Sequence, residues 1–399
     1  MILEEAIRER DFSNALIALG NGEKLPSDLN IHLRAMLYEI LIEEKQFDIL
    51  HLFAHHKIIE TDIYEYDSFD HSFFYAFFNS RKIDDELNDF FDVFVGHFTN
   101  INDEIKGYTL ISYAFIKSAN LRNIQALINF GCDASFRNHE DENILHQLVK
   151  SDEGIYRMSS ESYYDLFKAY TDILIGQGIE IDEPNTINET ALLSALRFRK
   201  VNLATILLEH GANPNHVDHD GNNAFYYAII WNHSLDAYLK LSEYASPELN
   251  EVNSLGQTVL FNYVTEINFD SMETNQAIIK QLINDGADLY KAGNRYGEQR
   301  TTLDMAAGKS VEILQAILET GNIDLNAQDS HGNTLLHKVR AYNVNEDHDK
   351  AKDTYRKVKL LLENGADAGI SNDEDKTALM LASDDNYKIK TVELLMKQS

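Results

Sequence analysis

The chain has 399 residues and a formal net charge of −30, with 65 acidic side chains against 35 lysines and arginines. A field of that sign repels phosphate backbones and anionic membrane surfaces, so it excludes nucleic acid and membrane as partners and favours a basic one. Cys132 is the only cysteine, so no intramolecular disulfide forms and nothing points to an oxidising compartment.

The opening MILEEAIRERDF turns charged within a few residues and has no apolar core behind a basic start. No run of about 18 apolar residues occurs. A cytoplasmic protein without a cofactor, monomeric when free, is expected. From residue 1 to about Lys57, apolar positions such as Leu33, Met36, Leu37, Ile40 and Leu41 follow helical spacing, and Asn21-Gly22 and Pro26-Ser27 break the first pair of helices. Between Glu60 and Asp92 acids crowd among aromatics. Phe73, Phe74, Phe77 and Phe78 fall on one helical side and are assigned to the core, which leaves the acids to the other face and the loops.

From about residue 101 a pattern returns at roughly 33-residue spacing. A short turn leads into a small apolar helix, as in ETALLSAL from Glu189 or GNTLLHKV from Gly332. A second apolar helix follows and ends on glycine, as in ATILLEHGANPN from Ala204 or VKLLLENGADAG from Val358. Gly131, Gly178, Gly211, Gly286 and Gly365 suit left-handed helix stops. Ala195, Ala228, Ala306 and Ala382 let neighbouring helices approach closely. The unit between Gly221 and Gly256 ends LSEYASPELN and lacks the glycine.

These units resemble ankyrin repeats, in a degenerate form of bacterial type: a Thr-Pro-Leu-His-x-Ala opening and a Leu-Leu-x-x-Gly-Ala-Asp close. The resemblance covers about 103–399. It implies an all-α ankyrin-repeat solenoid with short hairpin turns: an array of about eight units over 101–399, preceded by an N-terminal helical segment, 1–100, that includes one degenerate repeat. The family proline is replaced throughout, for example by Ala191 and Leu335, and the family histidine survives as His146 and His337. Loss of both is expected to weaken the caps of the first helices. Extra residues at 151–169, 267–275 and 343–354 are expected to form surface loops between paired helices.

No phosphate loop and no nucleophile elbow occurs. Cys132 reads as a small buried hydrophobe. His51 and His55 share a helical face at i, i+4, but no third ligand is evident, so no metal is assigned. Carboxylates are too many for their spacing to select an acid and a base.

Ankyrin arrays bind proteins through hairpin tips and the inner face of the first helices, and the resemblance carries these places over by position. Tips give Glu140, Asp141, His219, Asp220, Asp373 and Glu374. The ends of first helices give Phe198, Trp231, Glu266 and Tyr342. Trp231, the only tryptophan, together with Tyr342 would make an aromatic floor inside an anionic rim, which suits a cationic protein surface. The expected function is non-catalytic protein binding, foremost by an immunity protein that neutralises a basic bacterial toxin or enzyme. A secreted effector that captures a host protein is the runner-up. An enzyme or metal-binding site in the N-terminal segment is the third reading.

Overall fold

The computed structural model describes residues 2–26, 28–80, 82–153, 159–267, 271–321, 323–341, 347–382 and 389–397. They gather into two compact units, Met1–Ala212 and Asn213–Ser399.

The first unit opens with α1 (Leu3–Arg8), α2 (Phe12–Gly20), α3 (Ile31–Glu43) and α4 (Phe47–His55). It continues with α5 (Phe73–Asn79), α6 (Asp85–Phe94), α7 (Leu110–Ile116) and α8 (Leu121–Phe130). It closes with α9 (Ile144–Lys150), α10 (Ser160–Gly176), α11 (Ala191–Arg197) and α12 (Val201–Glu209). Odd helices pack on odd and even on even: α1 on α3, α3 on α5, α7 on α9 and α9 on α11, with α2 on α4, α6 on α8 and α10 on α12. The N-terminal helices therefore stack in two layers in the same manner as the periodic part. The four phenylalanines of α5 are buried as the spacing requires, and Phe77 stacks on Phe91 at 4.5 Å between ring centres.

In the second unit α13 (Ala224–Tyr226) runs straight into a π-helical turn, Tyr227–Trp231, followed by α14 (Leu235–Ser242), α15 (Val259–Glu266) and α16 (Met272–Asn284). Strands β1 (Ala292–Arg295) and β2 (Glu298–Thr301) come next, then α17 (Thr302–Ala307), α18 (Val311–Leu318) and α19 (Leu335–Ala341). The chain ends with α20 (His348–Glu363), α21 (Ala378–Ala382) and α22 (Ile389–Met396). Here too first helices stack on first helices, α15 on α17 on α19 on α21, and second on second, α14 on α16 on α18 on α20 on α22. The fold is mostly helical. Among the described residues its sheet is one antiparallel hairpin, registered Ala292↔Thr301 to Arg295↔Glu298.

The local chemistry explains these ends. The five glycine stops all take left-handed backbone, for example Gly131 at φ 104° and Gly211 at φ 91°, a conformation that costs a side-chain-bearing residue about 1–2 kcal/mol. Ala195, Ala228, Ala306 and Ala382 are fully buried at the helix contacts.

Two expectations need correction. The first helices keep their caps without proline. Thr109, Asn143, Thr190, Asn223, Thr258 and Thr301 each accept a backbone N–H three residues on. The cap needs only a side-chain oxygen just before the helix, and these residues supply it. The three insertions are not simply loops. Their described parts lengthen the second helices to Ser160–Gly176, Met272–Asn284 and His348–Glu363. Ser159, Ser271 and Asp347 cap the new starts, and buried Tyr163 and Phe167 continue the inward face of α10. Residues 154–158, 268–270 and 343–346 of these segments lie outside the described residues.

Candidate partner-binding surface

Each hairpin tip is built on one short polar side chain that the repeat pattern alone does not mark. Asn138 accepts the N–H groups of Glu140 and Glu142 with a single oxygen at 2.9 and 3.0 Å. Asp218 does the same for Asp220 and Asn222, both at 2.9 Å. Asn185, Asn253, Asp329 and Asn372 repeat the arrangement. The residue three further on bends back with positive φ, as Asp141 at 61° and Gly332 at 72°. Successive tips are then tied backbone to backbone. Thr186 N–H donates to the Glu140 carbonyl at 3.0 Å, Ser254 to Asp220 at 2.7 Å and Asp373 to His331 at 3.1 Å. The side chains at the tips are thus held on a fixed backbone ladder and turned outward.

The first unit carries a cleft of about 530 Å³ beside α7 and α9. Tyr113 donates its hydroxyl proton to Asp70 at 2.9 Å. Burial, and then the Asp70 carboxylate, hold the phenol far above its ordinary pKa. The Lys117 ammonium lies 2.7 Å from Glu153 and 3.7 Å from Asp70, and 5.4 Å from the Tyr113 ring centre. Lys150 bridges buried Glu142 and exposed Glu140. Burial alone would raise the Glu142 pKa, but hydrogen bonds from Lys150 and Asn138 outweigh it and the net shift is downward. Glu189 shifts the other way, raised by burial despite its paired contacts at 2.8 Å with Arg197.

In the second unit Trp231 ends the π turn, 48% exposed, with its ring centre 6.1 Å from that of Tyr227. The turn arises because Asn232 N–H reaches back five residues to Tyr227 and Ser234 reaches six to Ala228, both at 3.0 Å. Such insertions in a helix commonly mark functional places. Glu266 pairs with Arg295 at 3.3 Å. That contact, with Asn294 N–H to Gly256 at 3.3 Å, braces the β-hairpin. Gly293 lies flat on Phe261, where a Cβ would come within 2.7 Å of the ring.

The expected site residues therefore divide. In the first unit Glu140 and Asp141 share one tip, Asp141 held by Arg137 at 2.6 Å, and exposed Phe198 lies under the Arg197 guanidinium at 5.1 Å. In the second unit exposed His219 and Asp220 share a tip. Asp373 and Glu374 share another, where Glu374 pairs with Lys376 at 2.8 Å. Tyr342 lies outside the described residues. His51 turns towards His97, nitrogen to nitrogen at 3.0 Å, while His55 packs against His56. Among the described residues no three metal-binding side chains come together. Cys132 is buried, which pushes its thiol up to about 12.

Sequence reasoning missed Tyr296, 93% exposed at the tip of the β-hairpin with positive φ of 52°. The turn Asn-Arg-Tyr-Gly between polar residues was its signal. It also missed a set of lysines that cap the preceding repeat. Lys200 donates to the Ser151 carbonyl at 2.8 Å, Lys309 to Thr265 at 2.7 Å and Lys357 to Ala307 at 2.9 Å. Each places a cation at the carbonyl end of a first helix, where the helix dipole favours it.

A family model described as Ankyrin repeats (3 copies) matches residues 159–253. An ankyrin repeat protein of Acanthamoeba polyphaga mimivirus is 24% identical over 298 residues, 67% of this chain and 35% of that protein. A second from the same virus is 30% identical over 112 residues, 27% of this chain and 62% of that protein. Protein glp-1 of Caenorhabditis elegans is 27% identical over 211 residues, 51% of this chain and 15% of that protein. The chain thus spans about a third of the length of the first of these relatives and less than two thirds of each of the others. Among solved structures, the ankyrin repeat domain of Bcl-3, a unique member of the IkappaB protein family, superposes with TM-score 0.48 at 21% identity, covering 63% of this chain and 99% of that one. The human ASB11 ankyrin repeat domain gives 0.43 at 19%, covering 65% of this chain and 98% of that one.

Proposed function

Starting from a chain of ankyrin repeats, we propose that it is a non-catalytic protein-binding module whose partner is a basic protein. The observation that carries this reading is the tip ladder. The backbone of each tip is satisfied by its own Asn or Asp and by the neighbouring tip, which leaves Asp220, Asp373 and Glu374 exposed to a partner. With a net charge of −30, such carboxylates steer a cationic surface into place, and Trp231 offers the aromatic anchor that interfaces concentrate on. The finer reading is that the partner is a toxin whose active site is made for phosphates, and that this chain covers it in the cytoplasm. The test is a binding titration against a purified basic partner captured on the immobilised chain. The affinity should fall steeply with added salt, and again in Asp220→Lys with Asp373→Lys and in Trp231→Ala. A partner that is acidic, or whose affinity ignores salt and all three substitutions, removes the reading. Stoichiometric inhibition of that partner's own activity decides the toxin version.

A further inference from the structure

The second unit leaves one group of cations without carboxylates. Three lysines of α20 are paired within their own stretch of chain. Lys350 lies 3.9 Å from Asp347, Lys357 3.0 Å from Asp353 and Lys359 3.7 Å from Glu363. Lys352 and Arg356 are exposed and make no ion pair among the described residues, in a chain with 65 acidic side chains. They stand four positions apart on one helical face, a spacing at which like charges destabilise a helix. That face and the first turn of α22 line a cleft of about 930 Å³. Lys390 enters it from α22, also exposed and without an ion pair among the described residues. Ala351, Tyr355 and Ile389 supply apolar lining, and Ile389 is 59% exposed. Asp349 is the carboxylate set against these three cations among the described residues of the lining.

We propose that this cleft receives an acidic peptide segment of a protein partner, with carboxylates on both walls and an apolar side chain between them. The inference is independent of the basic partner proposed for the tips, because it concerns a different surface of opposite sign. Lys352, Arg356 and Lys390 are open to solvent, so a carboxylate gains charge-assisted hydrogen bonds without displacing an internal pair. The apolar lining asks for an apolar group as well, which a bare anion lacks. A phosphate is best held where donors converge, as at a helix N-terminus. Here the cations stand on two walls, and the first N–H groups of α20, those of Asp349 and Lys350, already donate to the Asp347 carboxylate at 2.9 and 3.2 Å. A long polyanion would run out of the cleft onto the rest of a chain of net charge −30. A short segment stays within the roughly 8–10 Å over which the local cations prevail.

The test uses the full chain with 13C-labelled isoleucine methyl groups and the peptide Ac-Glu-Glu-Leu-Glu-Glu-amide. The Ile389 signal is identified by its loss in Ile389→Val. The peptide should move that signal saturably. Arg356→Gln and Lys390→Gln should each weaken it about two- to fivefold, and the two together about tenfold, as exposed charge contacts do. The peptide with glutamine in place of glutamate should bind at least about tenfold more weakly. Lys280→Gln removes the same charge from α16, where Lys280 pairs with Glu319 at 2.5 Å, and should leave the affinity within about twofold. An Ile389 signal silent to the acidic peptide, or equally responsive to the glutamine peptide, overturns the proposal. So does inorganic phosphate binding as tightly as the peptide, or Lys280→Gln weakening it as much as Arg356→Gln. Each of these results leaves the basic partner standing, since that reading is tested at Asp220, Asp373 and Trp231.

Discussion

Asn123 offers a direct trial of the repeat-packing argument. It sits in the first turn of α8, fully buried, and its backbone N–H is taken by Asn120 at 2.9 Å. Neither its Nδ2 nor its Oδ1 finds a partner among the described residues. The same place in later second helices holds Leu203, Ala237 and Ile313, each 1% exposed. A buried polar group without a partner costs about 1–3 kcal/mol. Asn123→Leu removes that penalty and adds apolar contact, against about 1 kcal/mol of crowding from the larger side chain. We expect a net gain of about 1 kcal/mol for the first unit. Asn123→Ala removes the polar atoms without filling the space and should stay within about 1 kcal/mol of the parent. The assay is a urea titration followed by far-ultraviolet circular dichroism and by hydrogen exchange at α8. Trp231 fluorescence, which reports the second unit, serves as the internal control. If both substitutions lower the α8 midpoint by more than about 1 kcal/mol, the amide stabilises the fold and the reasoning fails.

Four further substitutions probe other joints. Gly332 has φ of 72°, and a Cβ there would lie 2.7 Å from the Asp373 backbone nitrogen, whereas Gly365, at φ 96°, faces open space. Gly365→Ala should therefore cost only the left-handed term, about 1–2 kcal/mol, and Gly332→Ala clearly more, in paired thermal melts; equal losses would count against the tip contact. Lys357→Met strips the cap from the Ala307 and Lys309 carbonyls, bonded at 2.9 and 2.7 Å, and should lower the second unit's stability by about 1.5–3 kcal/mol; an unchanged urea midpoint would refute the cap. Burial holds the His146 imidazole below its ordinary pKa, and its Nε2 meets the Glu189 carbonyl at 2.9 Å. The unfolded ring takes up a proton first, so this stability is complete above about pH 6.5 and is lost as pH falls below it. His146→Gln should flatten the difference in melting temperature between neutral and mildly acidic buffer, and a parallel pH profile would deny His146 that part.

What the sequence makes legible follows from the range of each interaction. The glycine stops and buried alanines recur because every repeat poses the same local problem, so spacing alone locates them. The Asn and Asp at the tips also recur, from Asn138 to Asn372, and were legible in principle, since the oxygen that builds each turn accepts only from residues two and four positions on. The lengthened second helices were not, because a capped helix start such as Ser159 looks like loop chemistry until the buried side of α10 is known. The lysine caps were hidden by distance, since Lys357 meets a carbonyl 50 residues away.

The candidate site is hidden for a different reason. Aligning the first helices places Tyr113, Gln147, Ser194, Tyr227, Asn262 and Lys338 at one register position, just before the small or apolar residue that packs between repeats. No single residue type holds that position, so periodicity passes over it as noise. Yet it is where Tyr113 meets Asp70, Gln147 lines the cleft, Tyr227 lies beside Trp231 and Lys338 binds Asp304 at 2.5 Å. The position is nonetheless buried, with Tyr113 4%, Gln147 5%, Ser194 0%, Tyr227 6% and Asn262 7% exposed. What varies is the polar contact each repeat has to complete there. Tyr113 reaches Asp70 43 residues away and Gln147 reaches the Gly107 carbonyl 40 residues away. Such pairings are long in sequence and different in each repeat, so no spacing rule announces them, whereas the glycine stops and alanine contacts answer to neighbours a few residues off.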